Sequence, residues 1–371
     1  MASRDIVVIG AGVVGCAVAY ELARRGASVE IVDDRPAGMG ATQASAGLLA
    51  PFLEAHEDSP LLALGVRSLD LYDEFVERVA ADSGLTVPYR RTGTLNVAVD
   101  DAGMRRLRAT ADLLARRGVA ADLVDGPGTR TQEPHLANDV IGGLLIPSHG
   151  FVAAADLTRA LAAAARRHGA QLVEGSRVRR VVRDGPDLVV ETDRGHLTGD
   201  AVVLAAGSWS GDVEIDGVDC RAPVRPVRGQ LLYLSWRGPA LRRATWSDRC
   251  YLVPWDDGTL LVGATMEEVG FDERATVAGV RDLLDAACEV IPHAWTVGFL
   301  GARVGLRPAS PDELPIIGAS TVVPNLVYAT AHFRNGILLA PLTATLVADA
   351  LLEGRVDPLL ALADPARFGA L

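Results

Sequence analysis

Short, unbroken apolar runs open the chain. IVVI at 6–9 is followed by a glycine-rich turn and a helical stretch to about Arg25, with Gly26 as its stop, and then by SVEIVD ending at Asp33. Continuous Val/Ile runs of this length read as parallel strands buried on both faces, so the opening predicts a βαβ unit. Helical periodicity returns at Pro60, with Ser59 as N-cap and Pro60 at the first helical position. Apolar Leu62, Leu69, Tyr72, Phe75, Val76 and Val79 and a stop at Gly84 predict one helix packed on the first domain. A strand at 94–99 and an arginine-rich amphipathic helix from about Ala102 to Arg117 follow, then an alanine-rich helix to His168 capped by Asp156. QLVE, VRRVVR, LVVE and AVVLAAG read as strands in quick succession, the last (201–207) fully buried and ending at a glycine able to approach a ligand. From Pro223 the pattern predicts antiparallel strands: GQLLYLSW, then CYLVPW and TLLVG joined at Asp256-Asp257-Gly258. A helix from about Thr276 to Ile291, a strand toward 303–307 and LVYAT at 326–330 lead to HFRNGILLAP at 332–341. There Arg334, Asn335 and Gly336 precede an apolar run, which aims a helix N-terminus and its unpaired N–H groups at whatever lies before it.

This order predicts an α/β chain with interleaved domains. A Rossmann-like dinucleotide-binding domain takes 1–84, 148–220 and 302–371, and a second α+β domain on an antiparallel sheet takes 85–147 and 221–301. The first turn carries chemistry: Gly10 permits the tight turn, Gly12 lets backbone approach a pyrophosphate, Gly15 lets helix and strand pack closely, and Asp33 can bind a ribose hydroxyl. The stretch 38–51, GMGATQASAGLLAP, has the small residues expected where backbone passes a bulky planar ligand, or else is a surface loop.

Composition narrows the possibilities. At 371 residues the chain supports two cores, and its formal charge of −11 argues against a nucleic-acid partner. No apolar run is expected to approach the ~18 residues of a membrane helix, and the five residues before the first strand leave no room for a signal peptide, so a cytoplasmic protein without a membrane partner is expected. Cys16, Cys220, Cys250 and Cys288 lie far apart, and the seven histidines show no metal-ligand spacing, so reduced thiols and no metal are expected.

GAGVVG (10–15), ASAGLLAP (44–51), CYLVPWDDGTLLVGATM (250–266), GLRPASPDELPIIG (305–318) and HFRNGILLAP together resemble the D-amino-acid-oxidase-like family of FAD-dependent amine oxidases, and within it the glycine oxidases of thiamine biosynthesis. The resemblance covers most of the chain. It implies extended, noncovalent FAD, since no cysteine lies beyond Cys288, where related sarcosine oxidases attach their flavin. Implied cofactor contacts are Gly10, Gly12, Val13, Val14, Gly15, Asp33, Asp34, Ala41, Thr42, Ala46, Gly47, Leu48, Val178 and Gly207, and then His332, Phe333, Arg334, Asn335, Gly336, Ile337 and Leu338. The last helix would aim its positive end at the flavin's pyrimidine side, where reduction places negative charge.

For substrate, the resemblance implies Arg307 as the carboxylate clamp, with Tyr251 and Arg334 touching the substrate. Met266 either lines the small end of the pocket or is core packing. An arginine suits the clamp because a buried carboxylate needs a partner and the guanidinium offers two parallel hydrogen bonds; a structural ion pair is the competing role. The implied reaction moves a hydride from the Cα of glycine, sarcosine or a D-amino acid to flavin N5. The imino acid hydrolyses to a 2-oxo acid and ammonia, and O2 becomes H2O2. Family members form homo-oligomers, tetramers among them. Arg249 departs from the pattern, standing where glycine oxidases often carry histidine. A dehydrogenase passing electrons to a quinone or partner protein would share these motifs, and a non-catalytic flavin-binding scaffold is the reading from another class.

Overall fold

The computed structural model describes residues 4–54, 60–219 and 221–371. Ser59, His56 and Cys220 lie outside the described residues. A six-stranded sheet runs in the order Ile316–Ala319, Leu326–Thr330, Ala201–Leu204, Asp5–Ile9, Ser28–Asp33, Gln171–Glu174, with only the first of these antiparallel to its neighbour. Ile6, Val7, Val8 and Ile9 are all nearly inaccessible, as a parallel strand covered on both faces requires.

An eight-stranded sheet runs in the order Gly298–Ala309, Arg225–Ser235, Thr259–Gly263, Tyr251–Pro254, Ala244–Trp246, Thr94–Ala98, Gly142–Ile146, Asp122–Asp125. It is antiparallel except where Ala244–Trp246 meets Thr94–Ala98. The strand Gly298–Ala309 continues past residue 302 and pairs with Arg225–Ser235 to its end. The fold is thus mixed α/β, with a mainly parallel six-stranded sheet and a mainly antiparallel eight-stranded one, beside smaller sheets of four and three strands.

Three local expectations are corrected. The helix from Pro60 is two helices, Pro60–Asp70 and Tyr72–Ser83, broken at Leu71, because an apolar stripe survives a change of axis when both segments face the same core. Asp156 does not cap the alanine-rich helix: that helix is Ala154–Arg167, its cap position is Ala153, and the Asp156 carboxylate pairs with Arg159. The buried strand expected at 201–207 ends at Leu204, and Gly207, at φ +54°, begins the 3₁₀ turn Gly207–Asp212.

The first helix, Val13–Arg24, and the final helix, Gly336–Ala348, pack together on the parallel sheet. The helical stretch Gly336–Glu353 has 18 residues and a mean hydropathy of 1.6, long and apolar enough by composition to cross a membrane, contrary to the expectation above. Thr343 and Thr345 interrupt the apolar run in the sequence without making the helix polar. In the fold 67% of this stretch is buried, the place for a helix that is apolar all round.

Pro341 sits inside this helix and cannot donate to the carbonyl four residues back, Ile337 O. The Tyr72 hydroxyl donates to that carbonyl instead. Ser68 Oγ donates to Leu338 O at 2.6 Å and accepts from Leu342 N at 3.4 Å, bridging the opened ladder. The helix pair 60–83 therefore both packs against the final helix and completes its hydrogen bonds.

Candidate active site

A cavity of about 410 Å³ runs from the ends of the parallel strands to the face of the antiparallel sheet. Two helix N-termini, at Val13 and Gly336, border it. At the first, Gly10 has φ +108°, and a Cβ there would lie 2.4 Å from Ala205 O, so the turn admits only glycine. Gly12 opens onto the cavity, with Thr42 Oγ1 3.7 Å from an added Cβ. Val13 N donates to Thr42 Oγ1 at 3.2 Å, a cap supplied from 29 residues away. Gly15 packs inside, where a Cβ would meet Gly10 O at 1.9 Å; it does not line the cavity, so its part is helix–strand packing and not direct contact.

Asp33 ends the second strand with its carboxylate held by Ala11 N (2.6 Å) and Arg35 N (2.9 Å). Burial pushes its carboxyl up, against those two donors. Asp34 also lines the cavity, as do Ala41, Thr42, Ala46, Gly47 and Leu48. The loop they form contains a 3₁₀ turn, Ala41–Ala44, and a short strand, Leu48–Leu49, paired with Gly150–Val152. Gly47, at φ +71°, lies so close to Val152 that a Cβ would sit 1.7 Å from its carbonyl oxygen. Val178 and Gly207 complete this wall.

His332, Phe333, Arg334, Asn335, Gly336, Ile337 and Leu338 all border the cavity. Ala331 and Phe333 have φ of +57° and +48°, uncommon for side-chain-bearing residues, and Phe333 N donates to Pro308 O at 2.9 Å. The final helix then begins without a side-chain cap. His332 is turned inward, its Nε2 2.9 Å from Thr343 Oγ1, and burial pushes its pKa down to about 3, so the imidazole is neutral. Arg334 is exposed at the cavity edge.

Arg307 and Tyr251 lie on the antiparallel sheet beside two glycines that make room for them. A Cβ at Gly229 would be 2.4 Å from the Arg307 guanidinium, and one at Gly263 would be 2.4 Å from the Tyr251 hydroxyl oxygen. Arg307 Nη1 donates to Thr265 O at 2.9 Å, and the Tyr251 ring lies 5.1 Å from that of Trp246. Met266 is 63% exposed and lines the cavity, which rules out core packing and puts it where the cavity opens to solvent.

Several lining residues were not anticipated. Arg35 stacks on Trp209 (4.4 Å) and pairs with Glu273 at 2.9 Å, joining the two halves across the cavity. Trp246, Ser247 and Asp248 line the cavity beside Arg249, whose departure from the family pattern was noted above and whose guanidinium pairs with Glu289. Cys250 also lines the cavity; burial pushes its thiol up to about 11, so it stays protonated.

Residues 5–350 match the family of FAD dependent oxidoreductases. The chain belongs to that family. The FAD-dependent oxidoreductase is 32% identical to the glycine oxidase of Geobacillus kaustophilus, over 93% of this chain and 92% of the relative. The crystal structure of that Geobacillus glycine oxidase superposes with a TM-score of 0.92, at 31% identity, over 98% of each chain. It is also 36% identical over 363 residues to the bifunctional protein ThiO/ThiG of Nostoc sp., covering 96% of this chain and 54% of that one. The chain spans about half the length of the bifunctional relatives it matches. FAD is the cofactor of the family. The cavity fits it: small residues and two helix N-termini line its length, and Gly12 opens onto it with no atom nearer than 3.7 Å to an added Cβ.

His332 and the scaffold residue His149 set an acid limit on the oxidoreductase. Burial pushes both from 6.5 to about 3, so both are neutral when folded and regain protons on unfolding. The unfolded state then binds more protons below pH 6.5, and stability falls as pH falls, by up to about 1.4 kcal/mol per pH unit for each group. Thermal melts between pH 6.5 and 5 should show Tm declining, with a shallower decline in His332→Gln; equal slopes would refute the assignment.

Proposed function

We propose that the protein oxidises a small amino acid, glycine or a close relative such as sarcosine or a D-amino acid, to an imino acid that hydrolyses to a 2-oxo acid and ammonia. The observation that carries this reading is Arg307, seated over Gly229 on the antiparallel-sheet wall of the cavity, while Asp33 ends a strand of the parallel sheet. Noncovalently bound FAD would supply the hydride acceptor at N5, and O2 would be reduced to H2O2. Gly10, Gly12, Thr42, Asp33 and Asp34 would hold the adenine-nucleotide part, and His332 to Leu338 would border the flavin ring.

Arg307 receives the substrate carboxylate with its outward N–H groups while Thr265 O orients the other side. Tyr251 and Arg334 line the same space and complete the hold on the carboxylate. The N-terminus of the final helix contributes a positive end, favouring the electron-rich state of whatever it faces. No side chain is required as acid or base when the amine binds neutral, so the residues act by positioning and electrostatics. The resemblance further supports a homo-oligomer and a role in supplying thiamine synthesis.

Anaerobic titration of the yellow protein with glycine, sarcosine, D-alanine and D-proline tests the reading. Bleaching by at least one, followed by rapid recolouring and peroxide in air, is expected. Bleaching with sluggish recolouring would make it a dehydrogenase, and no bleaching by any amine a scaffold.

A further inference from the structure

The carbonyl of Thr265 is one group that orients Arg307, and Thr265 lies just beyond the end of a strand. After Gly263 the strand ends, and the chain keeps a backbone bond from Thr265 N to Gln230 O (3.4 Å) and a bridge between Glu267 and Arg228 before it reaches the helix Val277–Val290. A carbonyl on such a segment orients a guanidinium only if something else holds it. Glu267 is placed to do so. Its Oε1 accepts from Thr265 Oγ1 and Gln230 Nε2, both at 2.7 Å, and its Oε2 accepts from Arg228 Nη2 at 2.6 Å. Thr265 Oγ1 in turn accepts from Gln230 N at 2.9 Å. Residues 228 and 267 also exchange backbone hydrogen bonds, at 2.8 and 3.0 Å.

Every anchor belongs to the strand Arg225–Ser235, which pairs directly with the strand carrying Arg307; Val227 is the register partner of Arg307. The anchors are themselves braced. Arg228 is 4% exposed and also meets Asp272 at 3.0 Å, and Gln230 Oε1 accepts from Thr276 N at 2.9 Å while its amide lies against Gly279. A carboxylate is the group this position needs: both oxygens accept, and all three partners donate.

We propose that Glu267 is a positioning residue for the substrate carboxylate, aiming Arg307 through Thr265 without touching the substrate. This rests on the amino-acid-oxidising reading above. The expected signature is a split: a displaced clamp weakens carboxylate binding and leaves the hydride step, made elsewhere in the cavity, almost unmoved.

Two variants read it. Glu267→Gln keeps the volume but must turn an NH2 toward a donor, and Thr265→Val keeps the carbonyl and removes the hydroxyl. Each should raise the KM of the amino acid, and the Kd of glycolate measured by flavin absorbance, on the order of tenfold to a hundredfold with kcat and bound FAD nearly unchanged. The double variant should add little to either, since both act through one contact. Thr265→Ser should recover most of the loss. Unchanged KM and glycolate Kd in both variants would overturn the proposal, and so would kcat, FAD content and melting temperature falling together, the mark of a collapsed loop. If no amino acid bleaches the wild-type flavin, the oxidase reading fails, while the glycolate titration still reads the clamp.

Discussion

Arg307→Ala should leave a yellow, folded protein whose KM for its amino acid is raised on the order of 10²- to 10³-fold. On the proposed reading the substrate carboxylate would enter a cavity where an unpaired charge is costly, and truncating one partner of a buried, hydrogen-bonded charge pair costs about 2–5 kcal/mol, or roughly 1.4 kcal/mol for each factor of ten. FAD should remain, because Arg307 belongs to the antiparallel sheet and not to the βαβ turn and Asp33 of the parallel one. The fold should tolerate the change, since the side chain rests over Gly229 on a sheet face bordering the cavity. Arg307→Lys should recover part of the loss, as a point charge replaces a two-pronged donor. Steady-state kinetics together with glycolate titration decide the matter: unchanged kinetics would leave Arg307 a structural residue and remove the main support for the proposed substrate class.

Gly10→Ala should give a colourless protein. Two penalties coincide there. The backbone has φ +108°, which an alanine adopts only with strain, and the new Cβ would lie 2.4 Å from Ala205 O and 2.7 Å from Ala205 C, both backbone atoms of the neighbouring chain segment. Strain of this kind costs about 1–3 kcal/mol and overpacking about as much again, so the turn must move. Moving it shifts the N-terminus at Val13 and the Ala11 N–H that holds Asp33. Gly26→Ala isolates the clash: φ is similar, +93°, but nothing lies within 4 Å of an added Cβ. It should lower Tm modestly and keep its flavin. Equal flavin content in the two variants, read by visible absorbance, would show that the close approach at Ala205 does not matter.

Legibility followed sequence distance. The βαβ unit was readable because all its parts lie within 6–33: two apolar strands, three glycines and an acid, each explained by its neighbours. The strand SVEIVD and the strand LVYAT have the limits that their apolar runs suggest. The break at Leu71 was invisible because apolar spacing reports which face is buried and not whether the axis bends. The cap missing from Val13 comes from Thr42, and the bond denied to Ile337 by Pro341 comes from Tyr72, 265 residues earlier.

The sequence by itself determined that this chain has a dinucleotide-binding turn, a second, antiparallel sheet and a helix start at Gly336. Those follow from local sterics and side-chain periodicity, which neighbouring residues settle among themselves. Only the tertiary structure decided that Gly229 and Gly263 make room for Arg307 and Tyr251, that Met266 stands at the open edge, and that His332 turns inward to Thr343. Such facts depend on sheet register between strands tens of residues apart. Shifting that register by one residue would send each side chain to the opposite face, and no local pattern records which register wins.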